Sequence, residues 1–193
     1  MEPIYAALLG FLLGSVPFGL ILTKAAGFGD VRDIGSGSIG ATNVLRTGNK
    51  GLAAATVLLD AAKGAVPVLL TGQFLPGTEG IAAVAAVAGH CFTPWLKFKG
   101  GKGFATAAGV LLALAWPVML VCAAIWAATL ALSRISSVSS MTTVVAAPLV
   151  GWAMGYPAIA LPLIAIAAIV LVQHRANIGR LLKGEEPKVG SKK

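Results

Sequence analysis

The chain is divided by apolar runs at 4–23, 52–71, 81–96, 117–132, 138–154 and 157–173. Each is near the roughly 20 residues with which a helix crosses a hydrocarbon core, if slightly short helices and thin flanks are admitted. Hydrocarbon offers no water to the backbone, so such runs must satisfy their amides internally, as helices. The composition agrees: of 193 residues 57% are hydrophobic and only 11% charged, with a mean hydropathy of +0.87, far from the mix of a soluble domain. The predicted fold is all-α and polytopic, with residues 1–193 forming a single integral-membrane domain. The first run is read as a retained helix, because Glu2 stands where a signal peptide needs a basic region and no small-residue cleavage site precedes a soluble domain. Cys91 and Cys122 sit in or beside apolar segments without CxxC or Cys/His spacing, so neither a zinc site nor a disulfide is indicated.

The stretch Phe104–Ser133 is about 30 residues long, more than one crossing needs. Charge decides between one tilted span and two short ones, since an added span inverts the side of everything after it. A split at Trp116-Pro117, where proline can open a new helix, gives seven spans with the amino terminus outside and the carboxyl terminus cytoplasmic. Lys24, Arg32, Arg46, Lys50, Lys97, Lys99, Lys102, Arg134, Arg175, Arg180, Lys183, Lys188, Lys192 and Lys193 then share the cytoplasmic side, while the external connections carry no lysine or arginine. The run 104–115 becomes short, tilted or partly re-entrant. Lys63 is left inside a span with Asp60 three positions before it, on the same helical face. That pair serves either as a structural ion pair or in shaping a site.

Three glycine- and cation-rich segments interrupt the apolar runs. The first, Gly35-Ser36-Gly37-Ser38-Ile39-Gly40-Ala41-Thr42-Asn43 followed by Arg46, has the glycines and hydroxyls of an anion nest. It is neither a P-loop nor a dinucleotide fingerprint; the bland alternative is a flexible linker. The second, Lys97-Phe98-Lys99-Gly100-Gly101-Lys102-Gly103, brings ammonium groups to a glycine hinge. Topology needs the charge but not three glycines, which free the backbone to approach a ligand. In the third, His174, Asn177 and Arg180 recur at one-turn spacing and share a helical face, with Leu181 and Leu182 free to rest on the bilayer. His90 and His174 can each also be read as ordinary interfacial histidines.

Together these segments, with Gly89-His90 before the second and Gly184 and Glu186 after the third, resemble the PlsY family of bacterial acyl-phosphate:glycerol-3-phosphate acyltransferases. The likeness also takes in Gly14-Ser15-Val16-Pro17-Phe18-Gly19, Asp60 with Lys63-Gly64, and Arg134, Ser137 and Ser140, so it runs from the first helix to the tail. Ser38 departs from it, standing where the family usually has asparagine. The resemblance implies a multi-pass enzyme of the bacterial inner (plasma) membrane with its active site facing the cytoplasm. It implies transfer of a fatty acyl group from acyl phosphate to the sn-1 hydroxyl of glycerol 3-phosphate, giving lysophosphatidic acid and inorganic phosphate in phospholipid synthesis. No cofactor and no metal are implied. Beyond the two substrates and membrane lipids, neither nucleic acid nor an obligatory protein partner is expected.

An acyl phosphate is already activated, so such a site must chiefly hold two anions together and stabilise developing charge. The residues expected to act in catalysis are Ser36, Arg46, Lys102, His174 and Asn177, with Gly37, Gly40, Thr42, Asn43, Ser140 and Arg180 binding substrate. The donor head group is assigned to Ser36, Gly37, Gly40, Thr42 and Asn43 with Ser140 and Asn177, and glycerol 3-phosphate to Arg46, Lys102, His174 and Arg180. No carboxylate stands at HxxxxD spacing from either histidine, since Trp95 and Gly179 occupy those positions. The base is therefore His174 or a donor phosphate oxygen, the latter preferred. An acyl groove lined by small residues such as Ala105, Ala107 and Gly109 is expected to open to the inner leaflet, with plain helix packing as the alternative account of most of the Gly and Ala residues. A mobile tail is expected over 187–193. A phosphate-ester carrier is the rival reading, opposed by the clustering of the basic segments on one face and the lack of an internal repeat.

Overall fold

The computed structural model describes residues 1–190 and contains, among them, only helices and connecting turns. They are α1 (Glu2–Gly14), α2 (Phe18–Ala25), α3 (Ala41–Val44), α4 (Lys50–Phe74), α5 (Glu79–Cys91), α6 (Phe104–Ser133), α7 (Ser136–Ala153), α8 (Ala160–Gln173) and α9 (Arg175–Leu182). Among the described residues Glu2–Ala25, Lys50–Phe74 and Trp116–Ser133 are long and apolar enough to cross a bilayer by length and composition, and α8 with α9 would join them but for a 59° bend. Large apolar side chains such as Leu58, Leu69, Leu149 and Leu161 cover the outside. The interior is built from Ala, Val and small polar residues whose hydroxyls bond their own helices, as Thr23 does to Gly19 and Thr143 to Ser139. That distribution suits a solvent of lipid tails, where association depends on close packing rather than on hiding apolar surface.

The close packing is visible at individual glycines. A Cβ on Gly14 would run into the carbonyl of Ala86, and one on Gly10 into that of Ala82, so α1 and α5 touch backbone to backbone and run parallel. Gly64 meets the Thr106 carbonyl and Gly109 the Ala61 carbonyl, so α4 and the start of α6 run antiparallel. The acyl groove expected along Ala107 and Gly109 is thereby corrected. Both residues are buried, and Gly109 belongs to the α4 contact.

The helix α6 is not one straight rod. Ala115 leaves helical geometry (φ −160°, ψ 84°), and the rings of Phe104 and Trp126 stack with centroids 6.3 Å apart. Twenty-two residues of straight helix would separate those rings by about 33 Å. The chain therefore doubles back at Ala115, and Pro117, which lacks an amide hydrogen, sits where the second half begins.

Lys63 and Asp60 form an ion pair of 2.8 Å, both buried. The ammonium also donates to the carbonyl of Val16 at 2.7 Å and lies 5.7 Å from the Phe18 ring centre. Val16 lies in the break between α1 and α2, where its carbonyl accepts from the Phe18 amide at 3.1 Å as well as from the ammonium. The pair fastens α4 to Glu2–Ala25 at the level where that stretch breaks. Part of the 187–193 tail lies outside the described residues; within them the Val189 amide donates to the carbonyl of Arg134 at 2.7 Å.

Candidate active site

The three cationic segments meet at one end of the bundle. Leu96, ahead of the second segment, packs with Ile39 and Val44 of the first and with Val31 just before it. The charges of Glu186, Arg180 and Arg46 all act on Lys102, and those of Lys102 and Glu186 on His174. Glu186 in turn accepts from Ser137 at the start of α7 at 2.7 Å. Arg46, Lys102, His174 and Arg180, expected from sequence to hold glycerol 3-phosphate, are thus brought into one neighbourhood, together with Asn177, which was expected to serve the donor head group.

Asn43 organises the first loop. Its amide group donates to the carbonyls of Val31 at 2.6 Å, Ser38 at 2.8 Å and Ile34 at 3.1 Å. Its oxygen accepts from the Ser36 amide at 3.1 Å and Arg46 Nη1 at 3.3 Å. Gly35, at φ +56°, passes so close to Asn43 and Arg46 that any side chain would strike both. The open nest of amides expected at Gly37 and Gly40 is not what the loop presents. The Gly37 amide donates to Ile34 at 3.1 Å and that of Gly40 to Ser38 Oγ at 3.3 Å. Ser38 closes that local turn. What the loop does offer outward are the hydroxyls of Ser36 and Thr42, both exposed and without a protein partner among the described residues.

The glycines of the second segment also serve the protein's own backbone. The amides of Gly100 and Gly101 donate to the carbonyls of Cys91 and His90, both at 3.1 Å, closing the end of α5. A side chain on Gly101 would enter the His90 ring. Lys102 follows directly, so its ammonium is presented from a rigid seat. Burial and the charges of Arg180 and Arg46 push its pKa below the usual lysine value, while Glu186 opposes them. His90 itself lies beneath this seat, its Nδ1 3.7 Å from the Asp60 carboxylate.

In the third segment His174 forms the corner between α8 and α9 and is 3% exposed. Its Nδ1 lies 2.8 Å from the Val170 carbonyl. A carbonyl only accepts, so Nδ1 carries the proton and Nε2 presents a lone pair. Burial lowers the pKa of His174, the Val170 bond opposes that, and Lys102 lowers it further, so the ring favours its neutral form. Asn177, three residues on and also buried, donates through Nδ2 to Glu186. The carboxylate fixes the amide orientation, and Asn177 Oδ1 is left buried with no partner.

Glu186 is the site residue that the sequence reading did not assign. It receives Ser137, Asn177 and, at 2.6 Å, Arg180 Nε. Burial works to raise its pKa, but those hydrogen bonds and the guanidinium charge outweigh it and hold the carboxyl below its usual value. The adjacent acidic pair Glu185-Glu186, in an otherwise basic tail, was the available signal, and nothing local told the two apart. Ser140 is buried one turn beyond Ser137 on α7, with no protein partner among the described residues.

A family model described as glycerol-3-phosphate acyltransferase matches residues 4–184. The chain is 57% identical over 192 residues to the glycerol-3-phosphate acyltransferase of Erythrobacter litoralis (strain HTCC2594), covering 100% of this chain and 98% of the relative. It is 56% identical over 189 residues to that of Mesorhizobium japonicum, covering 98% and 97%. Among solved structures it is similar to PlsY (YgiH), an integral membrane glycerol 3-phosphate acyltransferase. The glycerol 3-phosphate form of that protein superposes with a TM-score of 0.92 at 34% identity, covering 98% of this chain and 96% of the other. Its lysophosphatidic acid form gives 0.91 over the same shares.

Proposed function

From the glycerol-3-phosphate acyltransferase family, to which this multi-pass membrane protein belongs, we propose that the chain takes its fatty acyl group from acyl phosphate and places it on the sn-1 hydroxyl of glycerol 3-phosphate. The products are lysophosphatidic acid and inorganic phosphate. The enzyme lies in the bacterial inner membrane with seven passes, its amino terminus outside and its site on the cytoplasmic side.

The observation that carries the reading is the pairing of two hydrogen-bond acceptors with a set of cations. His174 Nε2 and Asn177 Oδ1, one helical turn apart, suit the hydroxyls of a glycerol unit, which donate. Arg46, Lys102 and Arg180 suit its phosphate. Asn177 Oδ1 cannot receive a phosphate oxygen, so the donor head group falls instead to the hydroxyls of Ser36, Thr42 and Ser140, with Asn43 holding the loop that presents them.

In the reaction the sn-1 oxygen attacks the acyl carbonyl carbon, and a carbon–oxygen bond forms as the bond to the phosphate oxygen breaks. The phosphate leaves with the electron pair and takes up the hydroxyl proton. The cations offset the repulsion between the two anionic substrates and stabilise the departing charge. The leaving phosphate is the base because His174 is a poor one: its Nδ1 is backed by a neutral carbonyl rather than a carboxylate, and burial and Lys102 disfavour its protonation. His174 orients the nucleophile.

Purified protein offered acyl phosphate, acyl-CoA and acyl carrier protein thioester separately with glycerol 3-phosphate tests the donor. Lysophosphatidate and inorganic phosphate should form in equal amounts from acyl phosphate alone. Comparable turnover with either thioester would overturn the assignment.

A further inference from the structure

A second cationic place lies apart from this site. A cleft of about 590 Å³ opens between α2 and the turn that follows α5, lined by Leu20, Lys24, Arg32, Trp95, Leu96, Lys97 and Lys99. None of these residues is part of the proposed catalytic set. Its floor is apolar, since Leu20 and Leu96 are buried in the small core under the first loop. Its walls carry four cations. Asp30 engages Arg32 at 2.6 Å and Lys24 at 3.5 Å, and Asp33 acts on Arg32 from farther off. Among the described residues Lys97 and Lys99 have no carboxylate within ion-pair distance, so the cleft keeps an excess of positive charge.

The position relative to the bilayer narrows the ligand. The cleft sits at the end of the apolar segment Glu2–Ala25. Trp95 is 64% exposed beside it, with its indole N–H anchored to Ser15 Oγ at 2.9 Å, and Phe98 is equally exposed. An exposed tryptophan with its polar edge tied down, next to lysines, is an arrangement suited to the headgroup level of a membrane. The turn is held in an uncommon form to achieve this, since Lys97 and Phe98 both adopt left-handed backbone (φ 53° and 61°). Their amides donate to Pro94 at 3.2 Å and Thr93 at 3.0 Å.

We propose that this cleft binds the phosphate headgroup of one anionic phospholipid of the surrounding leaflet, with Lys97 and Lys99 as the principal contacts and Lys24 and Arg32 closing the far wall. The occupant is a lipid and not a soluble phosphate ester because apolar floor and exposed aromatics adjoin the cations. Bound there, the lipid steadies the first loop from behind, since the Val31 carbonyl beside Arg32 is one of the three that receive Asn43, with those of Ile34 and Ser38.

Trp95 provides the readout. In a variant with Trp116, Trp126 and Trp152 replaced by phenylalanine, reconstituted in nanodiscs, chain-brominated phosphatidylglycerol should quench Trp95 at lower mole fraction than equally brominated phosphatidylcholine. Each of Lys97→Gln and Lys99→Gln should reduce that preference by about fivefold, while Lys50→Gln, an exposed cation outside the cleft, should leave it intact. Retained acyl transfer in neutral detergent certifies that the variants are folded. Equal quenching by the two lipids, a preference that survives the double lysine variant, or release of quenching by free glycerol 3-phosphate would each overturn the proposal.

Discussion

Glu186 collects Ser137, Asn177 and Arg180 on one carboxylate and so ties α7, α9 and the tail together. Replacing it with alanine leaves Asn177 and Arg180 without their acceptor, and a thermal-unfolding series in detergent should show a loss of about 2 kcal/mol, the scale of hydrogen bonds to a charged group. Because its folded pKa is lowered, the carboxylate stabilises the protein above its unfolded pKa, and that contribution disappears as pH falls through the still lower folded value. The difference between the parent and Glu186→Gln should therefore be constant near neutrality and shrink below about pH 4. His174 gives a complementary kinetic case. If the departing phosphate is the base, His174→Gln should raise KM for glycerol 3-phosphate while keeping measurable kcat and the acid limb of the pH–rate profile. Unchanged binding with loss of both turnover and that limb would make His174 the base. Lys102→Ala should likewise raise KM for glycerol 3-phosphate more than KM for acyl phosphate, and the reverse order would exchange the two pockets.

At the scale of elements, glycine contacts set how near the helices stand. Gly14→Val would force a branched side chain into the Ala86 carbonyl, and separating α1 from α5 should cost at least the 1–3 kcal/mol typical of overpacking, read as early thermal aggregation in detergent. The same contacts mark where sequence reasoning stopped short. Glycines at 100 and 101 looked like approaches to a ligand because composition shows that room is needed, not what fills it; here α5 fills it. Of the two readings open for Gly109, a groove or helix packing, the structure shows packing, since α4 occupies the space. What was legible came from residues whose role is local. Proline at 117 and the charge distribution indicated a break at 116–117, and the chain leaves the helix one residue earlier, at Ala115. One-turn spacing likewise put His174, Asn177 and Arg180 on one side of a helix. The carboxylate that orients Asn177 was not legible, because that bond depends on how the tail folds back, which no periodicity encodes.

For the whole molecule, the reversal in α6 decides which side each later segment occupies. With the chain doubling back at Ala115, the connection at 116–117 and that at 154–157 lie at the end of the bundle opposite the cationic segments, and Trp116 and Trp152 are exposed there. At the other end Arg134 meets Val189, and Ser137 meets Glu186. A continuous α6 would have carried Arg134 to the far side from Lys102, and the charge acting between Glu186 and Lys102 would be impossible. In a background with Cys91 and Cys122 replaced by alanine, single cysteines at Trp116 and Gly155 should react with an impermeant maleimide added outside intact cells. Cysteines at Lys97 and Glu185 should react only after the inner membrane is opened. Labelling of position 185 in intact cells would place Glu186 across the bilayer from Lys102, and a site assembled from both would then have no single face on which to work.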